Sequence, residues 1–371
     1  MVAWPGADPA ALVRSAVPVR PVEAVIGDAG LRAAAAAART WARLWARVPL
    51  LDGKSFRELA SWRDTSLLWL AEGFIRNETA GPRCAELAEI ALRLLEATSP
   101  TEVDAVGLGP AEVAILSRAC TARGVLSHGR APRVRPLRPA STHPRSGLGA
   151  FARALAPRQP PAPPAPFVPG PAGSPPLLLI PDHESDALPM QPLLAAAAAE
   201  LSLPAMVVPA PSLTRWETRR ERRAAAAAQG QLRDLWKQLR DAPGVLESYR
   251  HRDIGFSDLA GDDLERLLLA HLPGAVLRLE TAIGLIATTV RPTMVILTGG
   301  RRDERRTLLA ACAAAGVPAV VVHPAPLAAE ELDRTDGGPR AEATFVWQPG
   351  SDPAPAVARL LEAARARVGR A

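Results

Sequence analysis

Residues 291–323, RPTMVILTGGRRDERRTLLAACAAAGVPAVVVH, limit the fold more than any other stretch of this chain. Met294 to Leu297 is a short run rich in branched apolar residues, the pattern of a strand buried on both faces. Gly299 and Gly300 break the run, Arg301 to Arg306 give a charged helix start, and Leu308, Leu309 and Cys312 share one helical face. Gly316 fits the residue that ends a helix in a left-handed conformation, and Val317 to Val322 is a second continuous apolar run. A helix between two such strands is a βαβ unit of a parallel sheet, because sheets covered on both faces need no polar and apolar alternation.

A fainter copy lies upstream. Residues 90–128 run through a helix end near Thr98, Pro100, a strand from Val103 to Leu108, a Gly-Pro turn, a helix, Gly124, a short strand and His128. The later stretch repeats that order: helix 275–289, Pro292, strand, Gly-Gly turn, helix, Gly316, strand and His323. Identity between the two is low, so they read either as an internal duplication or as two βαβ units with common punctuation.

At 371 residues the chain exceeds what one core usually serves. Between Arg130 and Pro176 fall 14 of its 38 prolines, a composition that cannot bury enough apolar surface to offset ordering entropy. The expected organisation is a Rossmann-like domain over 1–130, a disordered Pro/Arg-rich linker over 131–175, and a second Rossmann-like domain over 176–371. Seven arginines and no acidic residue lie in 130–158, more than the net charge of +6, which leaves the two halves together near neutral. Two readings of that stretch stand open: a solvated linker, or a basic arm that meets anionic lipid headgroups or nucleic acid phosphates without specificity. Cys84, Cys120 and Cys312 have no metal-like spacing and read as buried small residues in a reducing compartment. No run approaches the ~18 apolar residues of a membrane span, and MVAWPGADPA lacks the pattern of a signal peptide. A cytoplasmic location is expected, with peripheral contact at the inner membrane face as the variant.

Several segments could carry chemistry. Val22 to Ile26 reads as a strand running into Gly27-Asp28-Ala29-Gly30 and a helix over 31–47, a shape that can cradle phosphate. GDAG is not the dinucleotide fingerprint, however, and Asp28 repels an anion. In 50–78, Trp62, Leu67, Trp69, Leu70 and Phe74 read as helical core, while Lys54, Arg57, Arg63, Asp64 and Glu72 read as a solvated face or a cleft lining. The strand Leu177 to Ile180 delivers Asp182, His183, Glu184 and Asp186 to the carboxyl end of a parallel sheet, where ligands bind. With one histidine and no diagnostic spacing, no metal site is expected there. Residues 212–241 read as one long helix whose RWETRRERR start is a solvated face or a phosphate clamp. Tyr249 and the loop Arg250, His251, Arg252, Asp253 follow.

Three stretches carry a family resemblance. DGKSFRELASWRDTSLLWLAEGFI resembles a G-x-S-L-W-W-L-x-E segment; YRHRDIGFSDL with the helix up to Pro292 resembles the lead-in to a second-half βαβ unit; and 291–323 resembles the unit that usually ends in a strand and Q-H-G. Together they are similar to bacterial surface-carbohydrate glycosyltransferases of the GT-B type, such as capsule-polysaccharide and glycerophosphate transferases. The resemblance implies an α/β fold of two Rossmann-like halves facing each other across a cleft. It also implies a nucleotide-activated sugar or polyol donor and no separate cofactor.

In that reading the backbone N–H groups of Gly299 and Gly300 and the guanidinium groups of Arg301 and Arg302 hold the donor diphosphate. Asp182 and His183 on one loop, and Arg250 and His251 on another, line the donor site. His323 acts as general acid or base. Where the family has Q-H-G this chain has Val322-His323-Pro324, a proline in place of the glycine that lets backbone approach a ligand. That departure supports the second reading, a catalytically inactive relative serving as scaffold or regulator in envelope-polysaccharide assembly. An oxidoreductase is set aside because the glycine fingerprint is missing.

Overall fold

The computed structural model describes residues 2–3, 20–106, 108–129, 166–171, 173–182, 184–298, 302–323 and 339–368. Most of the expected linker lies outside the described residues, as do His183, Gly299, Gly300, Arg301 and Pro324. The first half of the chain gives β1 (Val2–Ala3), β2 (Arg20–Pro21), α1 (Val22–Trp45), β3 (Pro49–Leu51), β4 (Lys54–Ser55), α2 (Phe56–Leu59), β5 (Ser61–Trp62) and β6 (Thr65–Ser66). It continues with α3 (Leu67–Glu78), α4 (Ala80–Thr98), β7 (Glu102–Asp104), α5 (Pro110–Ala122) and β8 (Leu126–His128). The second half gives β9 (Leu177–Ile180), α6 (Glu184–Leu201), β10 (Ala205–Val207), a 3-10 segment (Ala210–Trp216), α7 (Arg219–Leu239), α8 (Pro243–Ser248), β11 (Arg250–His251) and β12 (Ile254–Gly255). Then come α9 (Ser257–Val290), β13 (Met294–Thr298), α10 (Arg302–Ala315), β14 (Ala319–His323), β15 (Ala343–Val346) and α11 (Ala354–Val368). The chain forms two compact units, neither a continuous stretch. The first takes Met1–Leu59, Phe74–Ala156 and Asp234–Leu268; the second takes Ala60–Gly73, Pro157–Arg233 and Leu269–Ala371.

The second unit is built on a five-stranded sheet in the order β10-β9-β13-β14-β15, every pair parallel. Leu177, Leu179, Met294, Ile296, Val320, Val322 and Phe345 point to one face and pack under Met190, Leu193 and Leu194 of α6 and Val357 and Leu360 of α11. The alternate residues Leu178, Ile180, Val295, Leu297 and Val321 are buried as well, so both faces are covered. This is why these strands are continuous apolar runs. Each such side chain contributes roughly 1.5–3 kcal/mol relative to exposure. The protein is therefore mixed α/β with a parallel sheet, and the βαβ unit expected over 291–323 is present.

The first unit is mainly helical. Among the described residues its parallel pairings are two-stranded, β1 with β2 and β7 with β8. The strand expected over Val22 to Ile26 is instead the first turn of α1, interrupted at Gly27 with φ 66° and ψ 174°. A five-residue apolar run suits either structure; Glu23 in the first turn and the alanine run that follows decide for helix. Gly27 to Gly30 therefore form no strand-to-helix cradle. Trp41 and Trp45 of α1 meet Tyr249 at 5.6 and 5.7 Å and Phe256 and Phe56 at 5.8 and 5.4 Å between ring centres, the heart of this core. The Asp263 carboxylate accepts the N–H groups of Ala80 (2.7 Å) and Gly81 (3.0 Å), satisfying donors at the open start of α4. Burial pushes the Asp263 carboxyl up to about 6 despite those two donors.

The upstream copy proves more extensive than the βαβ grammar. Both long helices end on a left-handed residue followed by Pro-Thr and a strand: Ser99 (φ 44°) before Pro100, and Arg291 (φ 49°) before Pro292. Gly124 and Gly316 take φ of 69° and 70° at matching places. Two hairpins match as well. The Trp62-Arg63-Asp64 hairpin of the first half belongs to the second unit, and the His251-Arg252-Asp253 hairpin of the second half belongs to the first. Each unit thus takes its hairpin from the other half of the chain, which is why neither is continuous.

Among the described residues, one helix, α9, is long and apolar enough to cross a membrane, with a mean hydropathy of 1.3 over its most apolar window. Half of that window is buried inside the protein, as in a core helix.

Candidate functional site

In the sheet of the second unit, β10 lies on one side of β9 and β13 on the other. The connections from β9 therefore diverge, and open sheets bind ligands outside the carboxyl ends of strands at such a point. At that edge the Asp182 N–H donates to Thr298 Oγ1 at 3.0 Å, tying the end of β9 to the end of β13. α6 and α10 begin just beyond these strands, so two helix amino ends, with their unsatisfied N–H groups, leave from the same edge.

The expected site residues are distributed as follows. Asp182 is at the switch point, half-buried; Arg302 is the first residue of α10. His183, Gly299, Gly300 and Arg301 are outside the described residues. His323 ends β14 at 3% exposure, and its carbonyl accepts the N–H of Trp347 at 2.9 Å. By alternation its ring is on the face opposite Val320 and Val322. Arg250 and His251 belong to the first unit, and Asp182, Arg302 and His323 to the second. There His251 Nε2 lies 2.9 Å from Glu89 Oε2.

Two ion clusters in the second unit were not expected as such. Arg306, one turn into α10, is 4% exposed. Its Nη1 lies 2.5 Å from Glu72 Oε2 and 3.2 Å from the Trp69 carbonyl, and the guanidinium is 5.5 Å from the Trp69 ring centre. Arg306 Nε and Trp69 Nε1 are buried without a hydrogen-bond acceptor among the described residues. On α9, buried Glu280 takes a two-pronged ion pair from Arg63, through Nε and through Nη2 (3.0 Å), and a third bond from Trp62 Nε1 (2.7 Å). The bond from Arg63 to Glu280 raises the Arg63 pKa above its ordinary value, against the smaller opposing effect of burial. Glu72 and Arg63 are thus pinned to buried partners and are not a freely solvated face. The sequence signal that could have pointed to them is a lone Glu280 inside the apolar run of α9.

Glu221, expected on a solvated face, is 6% exposed. Its Oε2 accepts the Thr218 N–H at 2.9 Å and the Thr218 hydroxyl, while Thr218 Oγ1 accepts the Arg220 N–H at 3.1 Å. This is a capping box, legible as Thr218-x-x-Glu221. It fits against Gly284, where an added Cβ would come within 2.9 Å of Glu221 Oε1.

In the first unit, Glu89 (3% exposed) gathers His251, Arg93 at 2.7 Å and Arg252 at 3.2 Å. Burial pushes its carboxyl up, but these donors outweigh burial and hold it below the ordinary range. Burial pushes the Cys84 and Cys312 thiols up to about 12, so neither is an activated nucleophile. Among the described residues no three His, Cys, Asp or Glu side chains are grouped to hold a metal ion. No protein family, curated protein or solved structure was found to match the chain.

Proposed function

We propose that the chain is a glycosyltransferase-like protein that takes a nucleotide-activated sugar or polyol phosphate and transfers it in bacterial surface-polysaccharide synthesis, working at the cytoplasmic side. The observation that carries this reading is the switch point between β9 and β13 with two helix amino ends leaving it. The extended repeat supports the finer fold reading, two Rossmann-like halves facing each other as in GT-B enzymes. In this reading the donor diphosphate rests on the N–H groups of Gly299 and Gly300 and on Arg301 and Arg302, beside Asp182 and His183. Arg250 and His251, on the other unit, line the same donor site in this reading, with His251 held by Glu89.

A non-catalytic scaffold is the second reading. The burial of His323 at 3% exposure favours it, since an acid or base must reach the substrate. Thermal shift against nucleoside diphosphates and their sugars tests the first reading. A ligand at 100 times its Kd adds about 2.7 kcal/mol. Binding of one base, lost in Arg301→Ala with Arg302→Ala, is expected; no shift with any nucleotide refutes it. If binding occurs, release of the sugar that disappears in His323→Ala separates transferase from scaffold.

A further inference from the structure

We propose that the exposed arginines of the 3-10 segment and the start of α7 dock the protein on an anionic lipid surface. The sequence RWETRRERR alternates in sign, but the fold sorts the charges. Glu221 is turned inward into its capping box, and half-buried Glu217 faces Arg222 at 3.9 Å. What remains outside is cationic: Arg215, Arg219, Arg220 and Arg223 are exposed and form no ion pair with a described residue. Arg219 and Arg220 each share a helix face with Arg223, at spacings of four and three. Beyond them Ala226, Ala227 and Gly230 are exposed and small, so no bulky side chain holds the face away from a flat surface.

Half-buried Leu213 and Trp216 lie beside this face, and tryptophan is the side chain best suited to the headgroup level of a bilayer. The patch is also short. Arg219 to Arg223 span only ~6 Å along the helix axis, too little to follow a polynucleotide backbone over the 6–10 phosphates of a typical interface. A bilayer presents phosphates in two dimensions and needs no such track. This inference does not depend on the nucleotide reading.

The test is flotation of the full chain with phosphatidylcholine vesicles containing phosphatidylglycerol, against vesicles of phosphatidylcholine alone. Binding to the anionic vesicles only, weakening with salt, is expected. Each arginine lost should lower partitioning about five-fold. The variant Arg215→Gln, Arg219→Gln, Arg220→Gln, Arg223→Gln should then lose binding by a factor on the order of 10²–10³ at an unchanged melting temperature. A control with Arg32→Gln, Arg39→Gln, Arg43→Gln and Arg76→Gln removes the same charge from exposed positions elsewhere and should bind like the wild type. The proposal is overturned if the wild type ignores anionic vesicles, if the first variant binds as well as the wild type, or if the control loses as much. It also fails if a DNA oligonucleotide binds as tightly as the vesicles with the same arginine dependence.

Discussion

Gly81 and Gly230 offer the same substitution with opposite expected signs. Both are inside helices, where alanine is favoured over glycine by about 1 kcal/mol. At Gly230 a Cβ would meet nothing within 4 Å, and the residue is exposed, so Gly230→Ala should stabilise by that amount. At Gly81 a Cβ would lie 2.1 Å from Cη2 and 2.4 Å from Cζ3 of Trp41, where carbons rest at ~3.5–4.0 Å. The indole has no room to retreat, since it is 6% exposed and packs on Tyr249 and Phe256. Overpacking of this kind costs about 1–3 kcal/mol, and contacts this short belong at the upper end, so Gly81→Ala should lose up to about 2 kcal/mol net. Thermal unfolding followed by circular dichroism reads this as a fall of about 2–4 °C per kcal/mol. Trp41→Phe removes the offending ring atoms, so the double variant should be better than the sum of its singles by about 1 kcal/mol or more. A Gly81→Ala protein that melts at or above the wild type, or a strictly additive double variant, refutes the close contact.

Arg63→Ala should strand the Glu280 carboxylate, whose side chain is 4% exposed, leaving it the Trp62 ring N–H; a loss of about 3 kcal/mol or more is expected in urea. Glu280→Gln keeps the shape and one acceptor oxygen, able to serve Trp62 Nε1 and Arg63 Nε, and should cost only about 1–2 kcal/mol; equal losses, or an Arg63→Ala effect below about 0.5 kcal/mol, refute the asymmetry. Asp263 has a folded pKa raised by burial to about 6 from an ordinary 3.8, so its protonated form favours the folded state. That contribution is complete below the unfolded value and is lost as pH rises through about 6. Asp263→Asn should therefore cost about 2 kcal/mol more at about pH 4.5 than at about pH 7.5, read from urea midpoints. A difference of the opposite sign means that the helix amino end, favouring the carboxylate, prevails over burial.

What could be read from the sequence follows from how local each signal is. The 294–323 unit was legible because apolar runs and Gly316 are local marks of a doubly covered sheet. In 50–78 an Asp52-Gly53 turn, with φ of 50° and 74°, carried a hairpin signal that a helical reading of the tryptophans obscured. The next turn had no such mark: Arg63 and Asp64 take φ of 46° and 60° without glycine. Partners such as Arg63 and Glu280, 217 residues apart, leave no trace in spacing. The carboxyl edge of the sheet was legible as a place, through the polar residues after Ile180, while the buried Arg306 was hidden in a charge run that looked solvated.

The paired hairpins also decide what His251 does. In one, a ring N–H from Trp62 and the turn arginine Arg63 converge on buried Glu280; in the other, His251 and the turn arginine Arg252 converge on buried Glu89. Indole can only donate. Glu89, held ionised by its donors, can only accept, so His251 Nε2 must carry the proton and fill the place that Trp62 fills in the other copy. Its clamp on Glu89 fixes the β11–β12 hairpin against α4, as Trp62 and Arg63 fix β5–β6 against α9. The same comparison explains why hairpins, and not whole halves, are exchanged between units: each long helix carries one buried glutamate, and the hairpin donors that reach it come from the opposite half of the chain.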